Sequence, residues 1–226
     1  MTEYSRQNPS PRFELLGDLY RQVHETGLEN VIEAKDVFNG GNLLNHIGIV
    51  GKLAQHSGAK SVLDYGSGKG MLYREKNLKL PDGKTIPSVK EFWGVEEIQL
   101  YDPGVEEYAT RPDSTFDGLV STDAIEHIPE EDIDWVLAEC FGFANKFLYM
   151  NIASYPAKKI LPNGWNAHVT VEPPGWWRER IEKAAANWPG RAYVFDVTEK
   201  RTGLTGWISR RLTGTKQKLT RIESWN

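Results

Sequence analysis

Residues 61–70, Ser-Val-Leu-Asp-Tyr-Gly-Ser-Gly-Lys-Gly, decide how this chain is read. A short apolar run, Val62-Leu63, ends in Asp64 and is followed by glycines at 66, 68 and 70. It reads as a buried parallel strand feeding a tight turn, where glycine permits positive φ and lets a ligand press against the backbone. Spacing narrows the ligand. The dinucleotide fingerprint G-x-G-x-x-G, counted from Gly66, needs glycine at 71, where Met71 stands. A phosphate-cradling P-loop needs Gly-Lys-Ser/Thr after four spacer residues, and no such run occurs. What remains is Asp-x-Gly-x-Gly-x-Gly directly after a strand.

Working outward, 226 residues suit one domain with decorations: an amino-terminal helical extension over 1–58, packed on a core over 59–226. A hydrophobic fraction of 39% and eight Trp suffice for a sizeable interior. With 27 Lys and Arg against 31 Asp and Glu, the net charge is −4 and the pI about 5.8, which argues against a broad nucleic-acid surface. The lone cysteine, Cys140, excludes a disulfide framework and a cysteine-based metal site, and fits a reducing, cytoplasmic compartment. Met1–Pro9 has no apolar signal core and no window reaches 18 apolar residues, so membrane insertion is not expected.

Ser10-Pro11 opens a helix whose Phe13, Leu16, Tyr20 and Val23 recur at helical spacing up to Gly27. A second helix is expected over 42–57, stopped by Gly58, and a short one over 71–77. Pro81-Asp82-Gly83-Lys84 marks a turn, and Phe92–Val95 and Ile98–Tyr101 read as strand material. Further strands are expected at 116–122 and Phe147–Ile152, and helices from Pro129 to about Ala144 and over 174–187. Cys140 falls on the inward face of the former, as core packing. Tyr193–Val197 and Trp207–Arg211 read as a terminal antiparallel hairpin. Alternating strands and helices with glycine turns give an α/β fold around a mostly parallel sheet.

The motif from Asp64 to Gly70 resembles the signature of class I S-adenosylmethionine-dependent methyltransferases, of the bacterial small-molecule type. A second stretch, Phe116-Asp-Gly-Leu-Val-Ser-Thr-Asp-Ala-Ile-Glu-His-Ile128, is similar to the Phe-Asp strand and Glu-His segment of many members. The resemblance implies a Rossmann-like sheet with helices on both faces and S-adenosyl-L-methionine as cofactor. It implies Asp64 facing the cofactor's ammonium, directly or through water, with Gly66, Ser67, Gly68 and Gly70 passing close beneath it. An acid after the second strand would hold the ribose: Asp102, or its rival Glu96. Thr122 and Asp123 would open onto the cofactor. The chain departs from the family pattern between Asp102 and Phe116, where 13 residues are too few for the customary helix and third strand.

Methyl transfer needs close positioning and, for a hydroxyl acceptor, a base, for which histidine is the natural candidate. His168 lies in a loop expected to overhang the transfer centre and is the candidate base or substrate anchor. His127 is either a second such group or a structural hydrogen-bonding residue beneath the site. His24, His46 and His56 are expected on the surface or in packing. Tyr155, Asn163, Asn166 and Trp165 are candidate substrate contacts, Lys158 and Lys159 crowd the same loop, and Asn151 is a further candidate. Trp176 and Trp177 either stack on substrate or fill core. No His, Asp or Glu cluster has metal-ligand spacing along the chain, so no metal is expected. The basic carboxyl-terminal residues Arg201, Arg210, Arg211, Lys216, Lys218 and Arg221 read as a solvated tail. The expected partner is a small polar, saccharide-like acceptor, with a homodimer compatible and nucleic acid disfavoured. The other readings are a nucleic-acid or protein methyltransferase, or a catalytically degenerate cofactor-binding subunit.

Overall fold

The computed structural model describes residues 4–28, 32–200, 209 and 217–225. Helix α1 (Pro11–Thr26) starts where expected: the Ser10 hydroxyl accepts from the Phe13 amide, and Gly27 ends the helix at φ 77°. A 3-10 turn (Gly41–Asn45) precedes α2 (Ile47–Ser57), so the expected 42–57 helix breaks at His46. Strand β1 (Ser61–Tyr65) leads through the glycine turn into α3, which covers only Met71–Arg74. A small antiparallel hairpin, β2 (Leu78–Lys79) and β3 (Thr85–Ile86), carries the Pro81–Lys84 turn.

The strand expected at Phe92–Val95 is instead the end of α4 (Val89–Trp93). The cause is a cap. The Ser88 hydroxyl accepts from the Glu91 amide and bonds the Glu91 carboxylate, the Ser-x-x-Glu spacing that starts helices, and Gly94 closes this one in αL.

The remaining elements are β4 (Glu97–Tyr101), β5 (Phe116–Thr122), α5 (Ile133–Phe143), β6 (Ala144–Ser154), α6 (Pro174–Ala185), β7 (Ala192–Lys200) and β8 (Gln217–Ser224). The main sheet runs β4-β1-β5-β6-β7-β8, parallel throughout except for the antiparallel β7–β8 pair. This is a Rossmann-like α/β sheet with an antiparallel carboxyl-terminal hairpin. No strand forms between Tyr101 and Phe116, where a 3-10 turn (Glu106–Tyr108) suffices, so β4 is an edge.

The hairpin's second strand is β8; the expected partner, Trp207–Arg211, lies outside the described residues apart from Ser209. Lys218 and Arg221 are therefore strand residues rather than a solvated tail. Arg221 grips Asp196 with two bonds of 2.7 and 2.9 Å, and Lys218 lies 3.6 Å from Glu199. Arg201, Arg210, Arg211 and Lys216 lie outside the described residues.

Side-chain alternation builds two cores. Leu63, Tyr65, Leu119, Leu148 and Phe195 join α5 and α6 on one face, with Cys140 and Trp177 fully buried there. Val62, Val120, Phe147, Tyr149 and Val194 join α2 and α4 on the other. A third cluster packs α1 and residues 32–38 against the loop after β6 through Leu16, Val23, Val37, Leu161 and Ala167. That contact carries α1 across the carboxyl ends of the strands. Among the described residues, no helix is long and apolar enough to cross a membrane.

Candidate functional site

The chain leaves β1 for β4 on one side and returns to β5 on the other, so strand order reverses at β1. Parallel sheets open a crevice at that point. Here it is a cavity of about 990 Å³, floored by the ends of β1, β4 and β5 and roofed by α1, residues 36–42 and the loop after β6.

The glycine turn forms one wall. Gly66, Gly68 and Gly70 all have positive φ, at 79°, 55° and 57°. Their need for glycine comes from the chain itself. A Cβ on Gly68 would collide with the Phe38 carbonyl, and one on Gly66 with the Ala124 methyl. The turn is tied upward: the Lys69 and Met71 amides donate to the carbonyls of Phe38 (3.0 Å) and Asn39 (3.2 Å). The Lys69 ammonium bonds the carbonyls of His24 and Ala34. Gly66 and Gly68 line the cavity; Ser67, buried beneath, spends its hydroxyl on the Gly68 carbonyl, and Gly70 stands outside the lining.

Asp102 and Glu96 occupy opposite ends of the same strand region. Asp102 follows β4 at its carboxyl end and lines the cavity. Its Oδ2 accepts from the Gly68 amide at 2.8 Å and its Oδ1 from the Gly104 amide at 2.9 Å. Burial raises its pKa against the lowering effect of those two bonds. Glu96 precedes β4, is paired with Lys60 at 3.0 Å on the surface, and lies outside this cavity.

Asp64 does not reach the cavity. It shares the α2–α4 face of the sheet with Val62, and its Oδ2 accepts from the Tyr73 hydroxyl at 2.7 Å. Its Oδ1 is buried without a partner. Burial pushes this carboxyl up to about 7, while the Tyr73 bond lowers it and Asp102 raises it.

Thr122 and Asp123 lie at the end of β5 and line the cavity. Asp123 adopts φ 57°, a left-handed conformation that aspartate tolerates better than most residues. Glu126 follows in a 3-10 turn and is fully buried. Its Oε1 accepts from the Ala153 amide at 2.8 Å; its Oε2 has no partner. Burial and the Asp123 carboxylate push the Glu126 carboxyl well above its usual range.

The Val169 and Thr170 amides both donate to the Glu126 carbonyl, at 3.0 and 3.1 Å, and so set His168 beside Glu126. His168 lines the cavity. Its Nδ1 lies 2.6 Å from the Tyr155 carbonyl, an acceptor only, so Nδ1 carries the proton and Nε2 a lone pair. Burial lowers its pKa. Asp123, Glu126 and His168 thus each offer a ligand atom, all within 4.8 Å of one another. Reading spacing along the chain missed this group, because the third member arrives on a distant loop.

His127 packs edge-on to His168, 5.0 Å between ring centroids, and its Nδ1 lies 3.0 Å from the Tyr20 hydroxyl. That hydroxyl donates to the Ala167 carbonyl, which joins α1 to the loop. Burial, helped by His168 and Lys159, holds His127 down at about 3. Its hydrogen bonding is that of a brace.

Of the candidate substrate residues, Tyr155 lines the cavity, with the Lys200 ammonium 3.7 Å above its ring, and Lys158 and Lys159 line it too. Asn166, Asn163 and Trp165 do not. Asn166 braces the loop, exchanging hydrogen bonds with the Ala157 backbone at 2.9 Å each way and accepting from the His168 amide at 3.0 Å. Asn163 caps the Trp165 amide, and Trp165 is 40% exposed beneath the Arg12 guanidinium. Asn151 is buried between Asn42 and the Asp196 carbonyl, and Trp176 lies under Arg180 on α6.

Sequence reasoning missed several cavity residues on the amino-terminal segment, α1 and the roof. His24, Tyr20, Phe38 and Arg6 all line it. His24 is buried 4.0 Å from Asp102, and burial with the nearby Lys69 and Lys159 holds its pKa down at about 4. Helical periodicity marked Tyr20 as inward-facing without saying what it faced. His46 bonds the Tyr149 hydroxyl at 2.6 Å, as a packing residue.

No family model matches this chain, and no curated protein sequence matches it. A solved structure of an O-methyltransferase family protein from Burkholderia thailandensis is similar over 88% of this chain, at 12% identity and a TM-score of 0.46. The match takes in 61% of that protein, so this chain spans about three fifths of its length.

Proposed function

We propose that this chain transfers a methyl group from S-adenosyl-L-methionine to an oxygen or nitrogen atom of a small polar, saccharide-like acceptor. The observation that carries the reading is the cavity at the reversal of strand order, walled by the glycine turn whose sequence resembles the family signature. About 990 Å³ is room for a nucleoside-sized cofactor with a small acceptor beside it.

The donor set fits such a cofactor. Each Asp102 oxygen accepts one backbone amide and keeps lone-pair capacity for a ribose hydroxyl. Gly66 and Gly68 present bare backbone to the cavity. Asp64, bonded to Tyr73, backs the wall from outside the cavity lining. When bound, the cofactor supplies an electrophilic methyl group on a sulfonium. The chain's own part is positioning, worth about 7–11 kcal/mol in favourable cases. The roof of α1 and the loop after β6 limits water, while Tyr155, Lys159 and His168 face the acceptor's space.

Calorimetry of the full chain, stripped of ligand, with S-adenosylhomocysteine tests this. One site per chain is expected, weakened about tenfold or more in Asp102→Asn. No uptake of the compound or of its methylated parent overturns the reading.

A further inference from the structure

The geometry points to a divalent-cation site formed by Asp123, Glu126 and His168 on the wall of the cavity, with positions left open toward the acceptor. Three independent features converge there. The first is the proximity itself: two carboxylate oxygens and one imidazole nitrogen within 4.8 Å of one another. The second is Glu126 itself, a fully buried member of the group whose Oε1 is held by the Ala153 amide while its Oε2 is buried without a hydrogen-bond partner. A buried carboxylate oxygen left unpaired is costly, and a cation satisfies it. The third is the orientation of His168. Its Nδ1–H donates to the Tyr155 carbonyl, which leaves the Nε2 lone pair available and fixes the ring. That is how metal-ligating histidines are held.

A cation bound at about 2.0–2.2 Å to oxygen and nitrogen needs its neighbouring ligand atoms roughly 3 Å apart. The group therefore contracts on binding. Asp123 is the exposed member and supplies the movement, whereas Glu126 and His168 are already fixed by backbone bonds. Two carboxylates and one imidazole suit manganese, magnesium, iron or zinc, and three protein ligands leave an octahedral ion open positions. Asp123 and His168 line the cavity, so those positions face it. Given the methyl-transfer reading, on which this last step rests, the acceptor is an oxygen compound able to offer the ion two adjacent oxygens. One Nε2 lone pair cannot both ligate a metal and take a proton, so His168 here holds the ion rather than acting as base.

The test is titration of the metal-free full chain with Mn²⁺, following the free-ion electron paramagnetic resonance signal and the proton relaxation of bound water. One tight ion per chain with exchangeable water is expected, and at least tenfold weaker binding in Glu126→Gln, His168→Ala and Asp123→Asn. Asp123→Asn, exposed, keeps the comparison valid if the buried Glu126→Gln variant fails to fold. Absence of Mn²⁺ uptake, as for two carboxyls that simply share a proton, overturns the site; so does uptake unchanged in the variants, or a bound ion without exchangeable water. S-adenosylhomocysteine binding is measured separately without metal. Its failure beside retained Mn²⁺ binding sinks the proposed function and leaves the cation site standing; the reverse result removes only the cation.

Discussion

The Gly68 amide donates to Oδ2 of Asp102 at 2.8 Å, so the turn after β1 is held from the end of the strand beside it. The Gly104 amide takes the other oxygen at 2.9 Å. A carboxylate accepts both; an asparagine turns an N–H toward one of them. Asp102→Asn should lower unfolding stability by about 1–3 kcal/mol, read by urea denaturation. An unchanged midpoint would mean that the turn is held by its other bonds.

Gly68→Ala meets two penalties at once, a left-handed φ of 55° and the Phe38 carbonyl in the path of the new methyl. We expect a loss of about 1–3 kcal/mol from the backbone conformation alone, and more from the displaced 38–40 segment. Gly83→Ala is the control: its φ is 86° but nothing lies near its Cβ, so the conformational part appears by itself. Equal losses in the two variants would remove Phe38 from the explanation.

Asp64 gives a pH signature. Folded, it keeps its proton up to about pH 7; unfolded, it loses it near 3.8. Between those values the folded chain binds more protons, so this residue lowers stability as pH rises through that window, by at most about 1.4 kcal/mol per pH unit, and adds no further loss above it. His24 acts in the opposite sense, because its pKa drops from 6.5 to about 4 on folding, so its contribution is lost as pH falls between them. Urea midpoints of wild type and Asp64→Asn, compared from pH 4.5 to 7.5, isolate the first term. The variant should gain on wild type as pH rises. A constant gap would show that Asp64 ionises normally in the fold.

Asn166 and Asn163 sit three residues apart and should behave differently. Asn166 makes three backbone hydrogen bonds that shape the loop carrying His168; Asn163 makes one, at an exposed turn. Asn166→Ala should cost about 1–3 kcal/mol and blunt ligand binding, whereas Asn163→Ala should stay within about 0.5 kcal/mol. Matching effects on both stability and calorimetry would undo this division.

Local signals carried far in this chain. Ser10-Pro11 and Gly27 bound α1, and Phe116–Thr122 is β5 to the residue. The apolar content of Phe92–Val95 misled because a helix of five residues shows little periodicity; the Ser88–Glu91 cap was the better sign. Val62 and Asp64 lie two apart in a strand and so share a face, which turns Asp64 to Tyr73 and leaves it out of the cavity lining. The motif alone does not reveal that. Glu96 and Asp102 could be separated only once the limits of β4 were known. The meeting of Glu126 with His168 was beyond reach, since it depends on two backbone bonds from Val169 and Thr170 across the full length of α5 and β6.

The ammonium of Lys69 reaches the carbonyls of His24 and Ala34, and its own amide bonds Phe38, so one residue of the glycine turn rivets the ceiling to the floor. Raising α1 like a hinged flap would break those rivets and deform the turn in the same stroke. Roof and glycine turn therefore form one mechanical unit, and a change made in either is felt by the other.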